Sequence, residues 1–207
     1  MMGAPFFSVI VPEHNSAEFM RKGLDSIRDQ SFTDYELIVV CDACSDNTAE
    51  IAREYTDKVF EIDAKRCGMA RNKGMDEATG KWLLFMDDDD WWMYDQAFRI
   101  IADNIGKQDE DILAFGFFWK EYGNRFNTPE KLYTAIWNKA WRRSFIKEHG
   151  FRFPDWQHSD DDGFSRITHK VAKIAYLHEV LYYYNFMRAG SLTWQISTGL
   201  LDGHIPG

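Results

Sequence analysis

Two short runs of β-branched and aliphatic residues, Phe6 to Val11 and Tyr35 to Cys41, flank a stretch in which Phe19, Leu24 and Ile27 recur at near-helical spacing. This arrangement constrains the fold more than anything else in the chain. A strand, a helix and a second strand form a βαβ unit, whose connection is long enough to cross over the sheet, so the two strands run parallel and the crossover is right-handed. Asn15-Ser16 is a candidate cap for the intervening helix.

The alternation continues. Ser45 or Asp46 can cap a helix running through Tyr55, Lys58 to Ile62 reads as a strand, Met69 to Ala78 as a helix closed by Gly80, and Lys81 to Met86 as a strand. The expected fold is therefore α/β, with a doubly wound, Rossmann-like and mostly parallel sheet flanked by helices. Farther on, Tyr94 to Ile105 is expected to be helical, Asp111 to Trp119 a strand, Asp160 to His169 a helix, and Ile174 to His178 and Val180 to Asn185 two short strands. The region from Trp137 is mixed, and the tail from Thr198 to Gly207 is expected to be mobile. A length of 207 residues fits one domain.

Ligands of such sheets bind beyond the carboxyl ends of the strands. That rule selects Glu13 to Asn15, Asp42 to Asp46 and Asp87 to Asp90. The charge distribution selects the last of these independently. The net charge is −9, and seven of the 33 acidic residues lie in two clusters, Asp87 to Asp90 and Asp160 to Asp162. Adjacent carboxylates repel, and such clusters persist where a cation or a base-catalysed reaction needs them. Alternating carboxylates on an extended backbone share a face, so Asp87 and Asp89 are candidate ligands for one hard divalent cation. An EF-hand starting at Asp87 would need glycine where Trp92 stands, and one starting at His158 lacks an acidic first ligand and ends on His169. The chain contains neither a G-x-x-x-x-G-K-[ST] loop nor a G-x-G-x-x-G fingerprint.

The excess of acid counts against a nucleic-acid or anionic-membrane surface. The longest apolar run, Ile112 to Trp119, is far too short to span a bilayer, and Met1 to Val11 lacks the basic flank of a signal peptide. A cytoplasmic protein is expected, with peripheral contact at the inner face of the membrane as an option. Cys41 and Cys44 match C-x-x-C, but a zinc site would need a second pair, and Cys67 makes the count odd. Aromatic residues make up 16% of the chain. They suit a packed core, and any that remain exposed suit stacking on sugars.

These residues resemble the glycosyltransferase family 2 enzymes of GT-A fold, in particular members that build polysaccharide and cell wall. The resemblance runs from Phe7 to about Thr193. Ser8-Val9-Ile10-Val11-Pro12 with Asn15 is similar to S-V-I-I-P-x-Y-N, and Glu36 to Asp42 with Ser45-Asp46-Asn47-Thr48 to E-I-I-V-V-D-D-G-S-T-D-x-T. Gly68 with Ala70 to Gly74 is similar to G-x-x-x-A-R-N-x-G, and Phe85 to Trp91 to F-L-D-S-D-D. Trp137 to Ser144 resembles W-N-K-L-(Y/F)-R-R-S, Asp160-Asp161 with Phe164 resembles E-D-x-x-F, and Tyr182 to Ser191 resembles L-Y-x-Y-R-x-R-x-G-S.

The resemblance implies a single GT-A domain with a nucleotide-sugar-binding half (1–92), an acceptor and catalytic-base half (93–197) and a tail (198–207). It implies an inverting, metal-dependent transfer from a nucleotide sugar, a UDP-sugar in the first instance, to a hydroxyl of a glycan or lipid-linked glycan. Asp42 would recognise the base and Arg71 would help hold the nucleotide, with Pro12, Asn15, Asp87 and Asp88 completing the donor site. Asp87 and Asp89 would hold Mn²⁺ or Mg²⁺, with Asp89 the direct ligand. Asp161 would be the general base. Asp160 and Asp162 stay open as alternatives, and Asp161 is favoured because Phe164 then falls at the family's spacing. The chain departs from the pattern at His14, Cys41 and Ala43-Cys44, all around the base pocket. Lys139, Arg142 and Arg143 are candidates for meeting phosphates or an anionic acceptor, and His204 for reaching the metal. A homodimer or another partner is expected to complete the acceptor side. Two other readings are a transferase acting on a modified nucleobase of phage DNA and a sugar-nucleotide-binding module without turnover.

Overall fold

The computed structural model describes residues 3–186, 188, 189 and 191–200. Along the chain the elements are β1 (Phe7–Glu13), α1 (Met20–Arg28), β2 (Tyr35–Asp42), α2 (Thr48–Ala52), β3 (Val59–Ile62), α3 (Cys67–Glu77), β4 (Trp82–Phe85), β5 (Trp91–Trp92), α4 (Ala97–Asn104), β6 (Ile112–Trp119), β7 (Gly123–Arg125), β8 (Lys139–Arg142), α5 (Arg143–His149), α6 (Asp160–Thr168), β9 (Ile174–Tyr184) and α7 (Leu192–Ser197). The strands form one mixed sheet in the order β3-β2-β1-β4-β8-β6-β9-β5, with β7 beside β6. β3, β2, β1 and β4 are mutually parallel, which bears out the expected α/β fold.

β1 is buried along its whole length, and β2 over its last six residues, because helices cover both faces of the sheet. Period-two alternation distributes their side chains between two cores: Val9, Val11 and Val39 face one, while Ile10, Ile38 and Val40 face the other. The helix α1 closes the first core with Met20, Leu24 and Ile27. The helix α3 closes the second and approaches β1 so nearly that a Cβ on Gly74 would overlap Ile10 Cγ2. Glu36 knits the lower end of the parallel strands together. It accepts bonds from Ser8 Oγ at 2.5 Å and from the Thr79 and Gly80 amides at 2.6 and 3.1 Å, and it pairs with Lys58.

Several sequence expectations are revised. Asn15-Ser16 does not cap α1 through a side chain; the Ser16 carbonyl accepts from Phe19 and Met20, and the helix begins only at Met20. The helix expected through Tyr55 stops at Ala52, followed by turns. The two strands expected after Ile174 are one, β9, whose register against β6 slips on either side of Gly116. The slip is accommodated because Gly116 has no Cβ, which would lie 2.9 Å from the Glu179 carbonyl. The mixed region from Trp137 contains β8 and α5. His204 and the tail beyond Leu200 lie outside the described residues.

The switch point of the sheet lies between β1 and β4, where the strand order 3-2-1 turns back to 4. Glu13 ends the first of these strands and Asp87 follows the second, so the crevice opens above both.

Gly74→Ala is expected to destabilise the protein by about 1–3 kcal/mol, the usual cost of overpacking. In an Ile10→Ala background the same substitution should cost less, and urea denaturation of the four-protein cycle measures the difference.

A candidate donor and catalytic site at the acidic turn

A cleft of about 610 Å³ opens at the switch point. Pro12, Asp42, Arg71, Asp87, Asp88, Asp89, Asp160 and Asp161 all line it, so residues far apart in sequence meet in one cleft. Asn15 does not. It adopts φ 49° and turns its side chain away, accepting from the Ser45 amide at 2.7 Å, and thereby fixes the loop after β2.

The acidic run is a turn rather than an extended segment. β4 ends at Phe85, and the Asp90 amide donates to the Asp87 carbonyl at 3.2 Å. Strand alternation therefore does not align Asp87 and Asp89, and the two carboxylates meet different arginines. Asp87 accepts from Arg71 at 2.6 Å, and Asp89 accepts from Arg188 Nε at 2.7 Å. Asp90 points inward, taking bonds from the Tyr182 hydroxyl and the Asn185 amide, both at 2.8 Å, and so latches the turn to the end of β9. Among the described residues, the one cation within 4.0 Å of Asp88 is Arg188, at 4.0 Å. Burial, followed by the adjacent Asp89 charge, pushes its carboxyl up to about 8. Burial also raises Glu13, which the strand-end rule selects and which closes β1 beside the turn.

This cluster is short of positive charge, and its donors are hard oxygens, so the residues fit a divalent cation. Among the described residues no three His, Cys, Asp or Glu side chains converge to enclose a metal. The protein would thus supply one or two ligands, Asp89 and Asp87, leaving the other positions to phosphate oxygens and water.

Arg71, from α3, joins the turn to the second acidic cluster. Its guanidinium lies between Asp87 and Asp160, 2.5 Å from the latter, and is almost wholly buried, with no partner for its Nε among the described residues. The three aspartates that open α6 then have three fates. Asp160 is committed to Arg71, and Asp162 pairs with Arg166 across one helical turn. Asp161 has no cation partner within 4.0 Å among the described residues and accepts only from the Asp162 amide, at 2.9 Å. Burial, outweighing the pull of Arg71, raises it to about 6.

On the base side, Asp42 accepts from the backbone amides of Ala64, Lys65 and Arg66 at 2.7 to 2.8 Å. Both oxygens are therefore already engaged in shaping the loop after β3, where Lys65 takes φ 55°. His14 Nδ1 lies 2.6 Å from the Asp42 carbonyl and therefore carries a proton.

The basic residues of the Trp137–Ser144 segment do not line the cleft. Lys139 is completely buried, its amine bonded to the carbonyls of Tyr133 and Ala135 and to Asn138 Oδ1, and desolvation lowers it to about 7. It holds the 133–135 segment in place, and Ser165 of α6 holds the same segment through the Thr134 carbonyl, 2.5 Å away. Arg142 pairs with Asp111. Sequence pattern pointed these cations at a ligand because it cannot report burial.

The family profile of glycosyl transferase family 2 matches residues 8–175. Among curated proteins, a putative glycosyltransferase of Bacillus subtilis, EpsH, is 28% identical over 88% of this chain and 61% of its own length. The poly(ribitol-phosphate) beta-N-acetylglucosaminyltransferase TarS of Staphylococcus aureus is 27% identical over 89% of this chain and 36% of its own. The chain thus spans about three-fifths or less of these relatives. The crystal structure of TarS 1–349 in complex with UDP-GlcNAc superimposes with a TM-score of 0.81 at 24% identity, covering 91% of this chain and 60% of that one. A mannosyltransferase from Pyrobaculum calidifontis in complex with GDP-Man and Mn²⁺ gives 0.73 at 18% identity, covering 98% and 66%. These likenesses agree with the expected GT-A fold, and the profile match spans most of the sequence: the chain belongs to glycosyl transferase family 2.

Proposed function

We propose that the protein is an inverting glycosyltransferase that moves a sugar from a nucleotide sugar, in the first instance a UDP-sugar, to a hydroxyl of a glycan or lipid-linked glycan. The observation that carries this reading is the separation of roles within the two acidic clusters. The turn after β4 is rich in carboxylate and short of cations, as a metal-diphosphate site requires. At the head of α6, one aspartate alone is free of an ion pair. UDP-GlcNAc bound to TarS supports the donor class, and Mn²⁺ with GDP-Man in the mannosyltransferase supports a metal.

Asp161 acts as the general base. Its pKa of about 6 leaves it ionised at neutral pH, yet basic enough to take the proton of an acceptor hydroxyl as that oxygen attacks the anomeric carbon. A single displacement of this kind inverts the configuration, through a transition state of oxocarbenium character. Asp160 holds Arg71, which in turn holds Asp87, so the base helix and the donor turn keep a fixed spacing. Asp89 and Asp87 would hold a divalent cation, which would supply Lewis-acid stabilisation for the charge of the departing diphosphate. Asp42 shapes the base pocket through the loop after β3, and His14 presents its ring there. No helix among the described residues is long and apolar enough to cross a membrane. Action at the inner face of the membrane is therefore proposed as peripheral contact.

Asp161→Asn is expected to lower turnover about 10²–10⁴-fold while leaving UDP-sugar affinity within about twofold, as measured by product formation and calorimetry. A binding module would show no turnover to lose. In the wild type, kcat/KM should rise with pH and level off above about 6, because the base is active only when deprotonated. A flat profile down to pH 4.5 would remove Asp161 from that role. Thermal stabilisation by UDP should require Mn²⁺ or Mg²⁺, vanish with chelator and be lost in Asp89→Ala. Stabilisation that survives chelation counts against the metal.

A further inference from the structure

The cleft has an aromatic wall to which the proposed donor site assigns no role. Phe117, Trp119, Tyr133, Trp137, Tyr184 and Phe186 all line it, brought together by β6, the 133–137 segment and the end of β9. Trp119 and Tyr184 are register partners on adjacent strands, with ring centres 5.7 Å apart. Trp119 meets Phe186 edge to face at 5.1 Å, Phe117 meets Tyr133 in the same way at 5.0 Å, and Trp137 stacks on Tyr184 at 4.8 Å. The rings therefore buttress one another. Lys139 adds rigidity from behind by anchoring the carbonyls of Tyr133 and Ala135. Trp119, Tyr133, Tyr184 and Phe186 are only half-buried, so the wall keeps open surface toward the cleft. The Trp119 indole N–H is buried and has no acceptor among the described residues, so what the ring offers the cleft is its carbon surface.

The charge around this wall is as informative as its rings. The cations that line the cleft, Lys65, Arg66, Arg71 and Arg188, are each paired with a carboxylate, namely Asp63, Asp155, Asp87 with Asp160, and Asp89. Lys131, 4.9 Å over the Tyr133 ring, lies outside the lining. An anionic acceptor entering here would meet the aspartates without an unpaired cation to offset them. A pyranose suits the wall for the opposite reasons. Its axial C–H bonds form an apolar, weakly positive face that matches the negative face of an aromatic ring. One of its hydroxyls supplies the proton that a base would take.

We propose that this aromatic wall is the acceptor subsite, that Trp119 is the ring on which the acceptor sugar stacks, and that the site selects an uncharged pyranoside over a polyol phosphate. The inference rests on the transferase reading above, and its test keeps the two apart. Saturation-transfer NMR on the wild type, with and without UDP and Mn²⁺, would use methyl β-glucopyranoside, methyl β-galactopyranoside, methyl N-acetyl-β-glucosaminide and ribitol 5-phosphate as probes. Calorimetry with UDP would run alongside it. The expected result is saturation on the ring C–H protons of at least one pyranoside and none on ribitol 5-phosphate. Trp119→Ala should weaken that pyranoside about tenfold, the loss of a stacked ring and its contact area, with UDP affinity unchanged. If Trp119→Ala does not fold, Trp119→Phe and Tyr133→Leu must each weaken the same pyranoside. Saturation of ribitol 5-phosphate alone, of no probe at all, or of a pyranoside indifferent to every variant overturns the inference. Absence of UDP binding overturns the donor reading instead and leaves the pyranoside result to stand or fall by itself.

Discussion

The buried guanidinium of Arg71 is the interaction on which the site depends. It occupies the space between Asp87 and Asp160, which follow β4 and open α6, and without it the buried Asp160 would be an uncompensated charge. With Arg71 present, the two acidic clusters of this chain approach without repelling one another apart. Its cost is one unpartnered Nε, and its effect is a fixed distance between the part of the cleft that suits a diphosphate and the part that suits a proton acceptor. The same pairing differentiates three neighbouring aspartates of identical chemistry. Asp160 becomes a holder, Asp162 a helix-surface partner of Arg166, and Asp161 the free carboxylate.

The parallel half of the fold was legible because it obeys local rules. Runs such as Val9–Val11 and Ile38–Val40 are continuous because helices cover both faces, and the helices between them repeat their apolar residues at the right spacing. The second half was less legible because its elements depend on long-range contacts. The strand Trp91–Trp92 is two residues long and exists only by pairing with Tyr182 and Tyr183. The break read at His178 to Val180 is a register slip created by a glycine on another strand. No periodicity within either segment could disclose its partner.

Within the site, residue types and positions relative to strand ends located the acidic part of the lining, while the individual roles of those residues and the aromatic wall opposite escaped the sequence. Four consecutive aspartates look equivalent on paper, yet the turn that contains them directs Asp90 inward to Tyr182 and hands Asp89 to Arg188. Lys139 looks like a surface cation and is instead an internal tie for the 133–135 segment. Asn15 looks like a ligand and fixes the loop at Ser45. In each case the deciding quantity is burial or a partner dozens of residues away, neither of which a local pattern encodes.

The latch on Asp90 has a consequence for how the chain acquires this site. Tyr182 and Asn185 lie 92 and 95 residues beyond it, and Arg188 lies 99 beyond Asp89. Closing loops of that length costs entropy that only late, native pairing repays. During synthesis the parallel core can assemble as soon as Phe85 has emerged, whereas the acidic turn stays untethered until nearly the whole described chain has been made. The acidic side of the cleft is thus set only when β9 docks, so its geometry belongs to the assembled sheet and not to the parallel core by itself.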